Sequence, residues 1–207
     1  MAPNDSPDSL SGLMTREQIA VFYATRDGQA RRIAVHIAGC LQAHGISTTL
    51  RDLANDCTVP AEAALAVVLA AVRYGRHLPE AEQFLAAYHQ RPAPPPLAFI
   101  SVNLTARKPG RDAVATNQYL RKSLARYGLA PVLAAAVAGR LDYPRYGWLD
   151  RQIIRLIMKL TGGPTDPTAC VEFTDWRQVD AIAVRLAGCY CTVVCGPECT
   201  AIPDLAA

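Results

Sequence analysis

Residues 65–71 of this chain read LAVVLAA, an unbroken run without a polar side chain. A strand with one wet face alternates apolar and polar residues, so a run that is apolar at every position has to be covered on both faces. That restricts the chain to architectures in which other elements pack on both sides of a central strand. The neighbouring segments narrow the choice. Gln18–Ala24, Ile46–Arg51, Leu97–Val102 and Pro131–Ala138 are further strand-like runs, and segments of helical period separate them. Ile33, Ile37, Ala38 and Leu41 recur at helical spacing until Gly45 supplies a stop. Phe84, Leu85 and Tyr88 mark the inner side of a helix over Glu80–Arg91, which PAPPP at 92–96 ends. Asn117–Tyr127 is a basic helix, and Trp176–Leu186 is a closing amphipathic one opened by Thr174-Asp175 as cap and first-turn acid.

Strands alternating with helices, several strands being apolar throughout, predict an α/β fold with a parallel sheet covered on both sides. Five strands suit the smaller doubly wound order, the flavodoxin-like one. With 207 residues, 51% of them hydrophobic and 19% charged, the chain can bury one core but not two independent ones. Residues 15–188 are therefore expected to form a single flavodoxin-like domain, preceded by a flexible Pro/Ser/Asp leader over 1–14. A long basic amphipathic insertion over 139–163 precedes the last helix. A formal charge of +3 is too small to argue for nucleic acid, and none is expected as a partner. The N-terminus lacks the basic and apolar regions of a secretory signal. The longest near-continuous apolar run, Ala63–Val72, is far short of the ~20 residues that cross a bilayer, so no membrane-spanning helix is expected. An odd count of seven cysteines, three of them scattered singly (Cys40, Cys57 and Cys170), fits a reducing compartment.

In a doubly wound sheet ligands bind beyond the carboxyl ends of the strands, so the loops after Ala24, Ala71, Val102 and Ala138 should converge on one crevice. The first reads ATRDGQARRI. It is neither a Walker phosphate loop nor a GxGxxG dinucleotide loop. A loop that opens a helix turns backbone N–H groups toward an anion, Thr25 adds a hydroxyl, Gln29 an amide, and Gly28 permits close approach. The Asp27 carboxylate repels a phosphate unless it turns away to cap the helix. By itself the loop fits a plain strand-to-helix turn as well as a phosphate cradle. The second and third loops, VRYGRH and SVNLTARKPGRD, offer Tyr74 as a stacking surface and Ser101, Asn103 and backbone amides as partners for a flat, polar-edged ring.

Taken in order, YATRDGQ, RYG, SVNLTARKP, LDYPRYGWLDRQIIRLIMKLTGG and FTDW resemble the flavodoxin-like, menaquinone-dependent protoporphyrinogen IX dehydrogenases of bacterial haem synthesis. The resemblance covers about Ile19–Gly188 and does not extend to the larger two-domain flavin-adenine type. It implies non-covalent FMN with Thr25, Arg26, Asp27, Gly28 and Gln29, and the adjoining Ala30, at the phosphate. Arg73, Tyr74 and Gly75, together with Ser101, Val102, Asn103 and Leu104, would fall beside the isoalloxazine ring. It implies three successive two-electron oxidations of protoporphyrinogen IX, with electrons passed to menaquinone. The family usually carries a hydroxyl residue where this chain has Ala30; one lost phosphate contact costs about 1 kcal/mol or somewhat more, so weaker FMN retention is expected.

Within the insertion Arg151, Arg155 and Lys159 repeat every four residues and line one helical face, while Leu149, Ile153, Leu156, Ile157 and Leu160 fall largely on the other. Such a helix suits an anionic membrane surface or an acidic ligand; it suits equally a surface helix whose apolar side packs on the sheet. The resembled reaction, with a greasy dipropionate donor and a lipid-soluble acceptor, makes Arg140, Arg145, Arg151 and Arg155 candidates for the carboxylates. Tyr143, Tyr146 and Trp148 are candidates for flat apolar contact. It also places the protein peripherally on the cytoplasmic face of the inner membrane. No general base is assigned: His77 reads as a solvent-exposed loop residue. His36, His44 and His89 fall on helices without metal-like spacing, and no metal is expected. Cys189, Cys191, Cys195 and Cys199 read as an irregular, disordered tail over 189–207, with no CxxC pair to suggest zinc or an iron–sulfur cluster. A homo-oligomer is compatible with the sequence. Two alternatives share the fold: an NAD(P)H:quinone reductase and a non-enzymatic electron carrier, the second disfavoured by the basic insertion.

Overall fold

The computed structural model describes residues 18–196; the whole leader over 1–14 and the tail over 197–207, with Cys199, lie outside the described residues. In chain order the elements are β1 (Gln18–Ala24), α1 (Gln29–Ala43), β2 (Ser47–Asp52), β3 (Ala63–Arg73), β4 (Arg76–His77), α2 (Pro79–His89) and β5 (Leu97–Val102). They continue with α3 (Gln118–Tyr127), β6 (Leu133–Val137), β7 (Arg140–Asp142), α4 (Trp148–Thr161), β8 (Cys170–Glu172) and α5 (Trp176–Cys195). The main sheet runs β2-β1-β3-β5-β6 with every one of these pairs parallel. The order reverses between β1 and β3, which is where a doubly wound sheet opens its crevice.

The run that is apolar at every position is explained by the two cores. Leu65, Val67 and Leu69 point to one side, where α1 (Ile33, Ile37, Leu41) and α5 (Val179, Ile182, Leu186) cover the sheet. Ala66, Val68 and Ala70 point to the other, toward Phe84, Leu85 and Tyr88 of α2 and Leu120 of α3. Each fully buried Val, Leu or Phe contributes about 1.5–3 kcal/mol relative to exposure, so the alternation holds both helix layers to the same strand. β2 lies at the edge of the sheet and is polar and half-exposed, as an unpaired edge requires.

The structure departs from the sequence expectations in several places. Residues 72–77 do not form a plain loop: β3 continues to Arg73 and folds back as a hairpin through Val72–His77 and Arg73–Arg76 pairs. The two-residue turn is Tyr74-Gly75, both at positive φ (49° and 79°), the backbone that a tight hairpin turn demands. The closing helix does not end near Leu186. It runs to Cys195 and so includes Cys189, Cys191 and Cys195, assigned above to an irregular tail. Residues 189–195 are compatible with helix, and the chain leaves it only at Gly196, whose N–H still donates to Thr192 O (3.1 Å). By length and composition α5 could cross a membrane, which the sequence reading did not anticipate. Its Val179, Ile182, Ala183, Leu186 and Ala187 are nevertheless buried in the core.

β7 and β8 pair antiparallel in a small sheet of their own, and α4 lies between them in the chain. α4 does not pack its apolar face on the main sheet. Of its residues only Met158 is buried, against Leu141, Tyr143 and Tyr146, while Trp148 is 71% and Leu160 78% exposed. Leu149, Ile153, Leu156 and Ile157 are exposed as well. Two of the three basic side chains reach loop carbonyls instead, Arg151 donating to Tyr143 O and Tyr146 O (both 3.2 Å) and Arg155 to Thr165 O (2.9 Å), while Lys159 is exposed.

Candidate active site

The loop after β1 turns into α1 at Gly28, whose φ of 89° excludes most other residues at low cost. No side chain caps this helix. The Gly28 N–H is taken by Thr25 Oγ1 (3.0 Å), and the N–H groups of Gln29, Ala30 and Arg31 have no partner one turn back in the helix. An uncapped N-terminus with its donors outward is a ready anion site. The awkward Asp27 is turned away: its carboxylate receives Arg73 (2.7 Å).

Arg73 joins three parts of the site. Besides Asp27 it reaches Asp150 at the start of α4 (2.5 Å), and its guanidinium lies over the rings of Tyr74 and Tyr146. The Tyr74 hydroxyl also donates to Asp150. That hydroxyl and Arg73 hold the Asp150 carboxyl below the usual carboxylate range.

The third loop begins at Ser101. Its hydroxyl is fully buried, hydrogen-bonded to His77 Nε2 (2.8 Å) and accepting from Asn103 Nδ2 (3.0 Å). His77 is correspondingly not solvent-exposed: it is 4% exposed, and its Nδ1 lies 2.8 Å from Ser123 Oγ. The Glu82 carboxyl, beside the His77 ring and receiving Tyr127 and Arg126, is held down to about 2. This buried chain fixes Asn103, whose Oδ1 caps the following turn by accepting the Ala106 N–H (3.0 Å).

The loops enclose one cleft of about 290 Å³. Of the residues named from the sequence, Thr25, Arg26, Asp27, Gln29, Ala30, Arg73, Tyr74, Gly75, Val102, Asn103 and Leu104 line it; Gly28 and the buried Ser101 are not part of the lining. The Gln29 amide is directed elsewhere, donating to Glu172 (3.1 Å) and Thr174 (2.9 Å), so this residue offers the cleft its backbone. Ala30 is 1% exposed and wedged between the cleft and the core.

The substrate candidates divide. Arg140 and Tyr146 line the cleft, Arg140 also pairing with Asp142 (3.0 Å). Tyr143 is buried and donates to Pro164 O (2.8 Å), Arg151 and Arg155 hold loop carbonyls, and Trp148 is outside the lining. Arg145 is exposed and reaches Asp27 O at 3.4 Å.

Sequence reasoning missed the far wall, made by Ile154, Ile157 and Met158 of α4 facing Leu104, and the cations Arg107 and Lys108. Arg107 is braced on Thr161 and lies over Phe173. Lys108 and Arg26 line the cleft without a side-chain hydrogen bond or ion pair among the described residues, and the Arg26 charge adds to what holds the Asp150 carboxyl down. The signal for Arg107 and Lys108 is the basic character of the third loop, from which Ser101, Asn103 and backbone amides alone are expected as partners.

Comparison with known proteins bears on this arrangement. The profile of the flavodoxin domain family matches residues 20–168. Protoporphyrinogen IX dehydrogenase (quinone) of Escherichia coli strain K12 is 40% identical over 168 residues, 81% of this chain and 93% of that protein. The protein of the same name from Leishmania major is 36% identical over 169 residues, 81% of this chain and 73% of that one. Among solved structures, rubredoxin oxygen:oxidoreductase from the anaerobe Desulfovibrio gigas aligns over 86% of this chain and 37% of its own, with a TM-score of 0.51 and 13% identity. That last likeness is one of fold alone. The strand order, the open first loop and these matches together mean that the chain belongs to the flavodoxin domain family and, within it, to the protoporphyrinogen IX dehydrogenases (quinone).

Proposed function

We propose that this protein oxidises protoporphyrinogen IX to protoporphyrin IX, with non-covalent FMN as cofactor and a quinone as electron acceptor. The observation that carries the reading is a cleft with an uncapped helix N-terminus at one end and an apolar wall of α4 at the other. Those residues fit a phosphorylated, flat-ringed cofactor. The backbone N–H groups of Gln29 and Ala30 and the Thr25 hydroxyl would hold the phosphate, and Arg73 keeps the Asp27 charge neutralised beside it. Tyr74, Asn103 and Leu104 would flank the ring. When bound, FMN supplies hydride acceptance and two-electron transfer to the quinone, and the protein supplies placement and electrostatics.

For the donor, the chain offers cations at the cleft and an apolar wall. Arg26, Lys108 and Arg140 are the groups we assign to the two propionates, the first two making no ion pair or side-chain hydrogen bond among the described residues. Ile154, Ile157, Met158 and Leu104 would cover the macrocycle and keep water from it. The exposed apolar face of α4 supports docking on an anionic membrane surface, where a lipid-soluble acceptor such as menaquinone is available. An anaerobic assay of the full chain with FMN, protoporphyrinogen IX and a menaquinone analogue, followed by porphyrin fluorescence, tests the reading. FMN-dependent fluorescence above autoxidation is expected; no such signal, or rapid flavin reduction by NAD(P)H in its place, would overturn it.

A further inference from the structure

On the outer side of the α1–α5 packing, away from the cleft, three side chains of different chemistry converge. His36 and Cys40 lie one turn apart on α1, and Asp180 reaches them from α5. His36 Nε2 is 2.6 Å from Asp180 Oδ1, Cys40 Sγ is 3.9 Å from the same oxygen, and the three ligand atoms all lie within 4.8 Å of one another. We propose that His36, Cys40 and Asp180 form a binding site for a borderline-soft divalent cation, zinc in the first place, which ties α1 to α5.

The geometry fits such an ion closely. Bonds of about 2.0–2.3 Å at tetrahedral angles separate neighbouring ligand atoms by about 3.3–3.7 Å. To reach that range the His36–Asp180 pair opens by under about 1 Å and the Cys40–Asp180 pair closes by less, while Cys40 and His36, within 4.8 Å of each other, draw together on the same face of α1. The donor set selects the metal: one nitrogen, one sulfur and one oxygen suit zinc or cobalt and not the all-oxygen preference of magnesium or calcium. The site is reachable. His36 is 38% and Asp180 55% exposed at the side chain, and His36 also borders a shallow depression with Trp176, so solvent can complete the coordination. Without a cation, burial and, after it, the Asp180 carboxylate push the Cys40 thiol up; cation binding releases that proton to solvent and leaves a thiolate and a carboxylate that balance two positive charges.

The pairing was invisible along the sequence because His36 and Cys40 supply two ligands only, and the third is 140 residues further on. The remaining cysteines offer a competing location, so the experiment has to separate them. Full-length protein, stripped with chelator and kept reduced, is titrated with Co²⁺ and followed by absorbance. One equivalent should give a thiolate-to-cobalt charge-transfer band and tetrahedral d–d bands, both removed by added Zn²⁺. Cys40→Ser should lose the charge-transfer band and weaken binding by about tenfold or more, and His36→Ala or Asp180→Asn should weaken it comparably. Far-ultraviolet circular dichroism reports that each variant is folded. Wild-type spectra retained in Cys40→Ser would place the ion on other cysteines and overturn the proposal, as would the absence of the cobalt bands in the wild type.

Discussion

Asp27 and Ala30, three residues apart in the first loop, act on an anion in opposite ways. The Asp27 carboxylate would repel a phosphate, and the Arg73 guanidinium, 2.7 Å away and mostly buried, is its ion-pair partner among the described residues. Removing Arg73 therefore does more than delete a cation: it leaves an uncompensated carboxylate beside the anion site. Arg73→Ala should weaken FMN binding by about tenfold or more, and Arg73→Ala/Asp27→Asn should recover part of that loss. Flavin fluorescence titration of both variants and of Asp27→Asn completes the cycle. Additive losses would mean that Asp27 and Arg73 act on FMN independently. Ala30 carries no charge and no donor beyond its backbone, yet it lines the cleft. Ala30→Ser restores a hydroxyl where the phosphate is expected, worth about 1 kcal/mol or about fivefold in FMN affinity. The same hydroxyl is buried without a partner when FMN is absent, so the unliganded variant should melt no higher than the parent. Tighter binding without a stability gain in the free protein distinguishes a phosphate contact from better packing.

Among the elements, α4 shows how far a helical pattern can be read. Its basic and apolar faces follow from spacing, and the structure forms it over Trp148–Thr161, ending at Gly162. What covers its apolar face does not follow from spacing, because periodicity gives the angle between two faces and not which one meets the protein. Here the arginines bond to loop carbonyls and the leucines face out. The cleft was legible to the same degree. The loops at strand ends could be named from the α/β alternation, but the wall made by Ile154, Ile157 and Met158 required knowing which side of α4 turns inward. Tyr143 read as a flat contact surface and is a buried strut to Pro164. The exposed face sets a prediction. Leu156 and Leu160 lie outside the cleft lining and are 59% and 78% exposed, so replacing both by Gln keeps a good helix former and leaves the cleft intact. If α4 docks on lipid, each Leu contributes about 1.5–3 kcal/mol of burial there. Leu156→Gln/Leu160→Gln should then lose co-sedimentation with anionic vesicles while FMN affinity stays at the parent value. Equal sedimentation of the two proteins would exclude this face as the docking surface.

For the whole molecule, stability rests on two helix layers sharing one sheet, and the layers differ in how they are joined. On the α1–α5 side the joint is apolar in its interior. On the α2–α3 side a carboxylate does much of the joining: Glu82 of α2 accepts from Ser123 (3.3 Å), Arg126 (2.9 Å) and Tyr127 (2.6 Å) of α3, beside the buried His77. The α3 partners of Glu82 could not be foreseen from a helix-surface residue, since they lie more than 40 positions away. Its pH consequence has a definite sign. The His77 ring and the α3 donors hold the folded-state carboxyl at about 2, against 4.5 for an unconstrained glutamate. Between these values the unfolded chain binds the extra proton, so the contribution is fully present above about pH 4.5 and is lost as the pH falls through about 2. Glu82→Gln keeps the shape but replaces charge-assisted bonds by neutral ones, and should lower stability near neutrality by about 1–3 kcal/mol. The loss should shrink as the pH falls from about 4.5 toward 2, because protonation removes from the parent what the variant already lacks. Urea unfolding of both proteins at several pH values, with FMN at a saturating level throughout, measures the two curves. Convergence at acid pH assigns the coupling to Glu82; curves that stay parallel would mean that the joint is held by packing, with the carboxylate along for its shape alone.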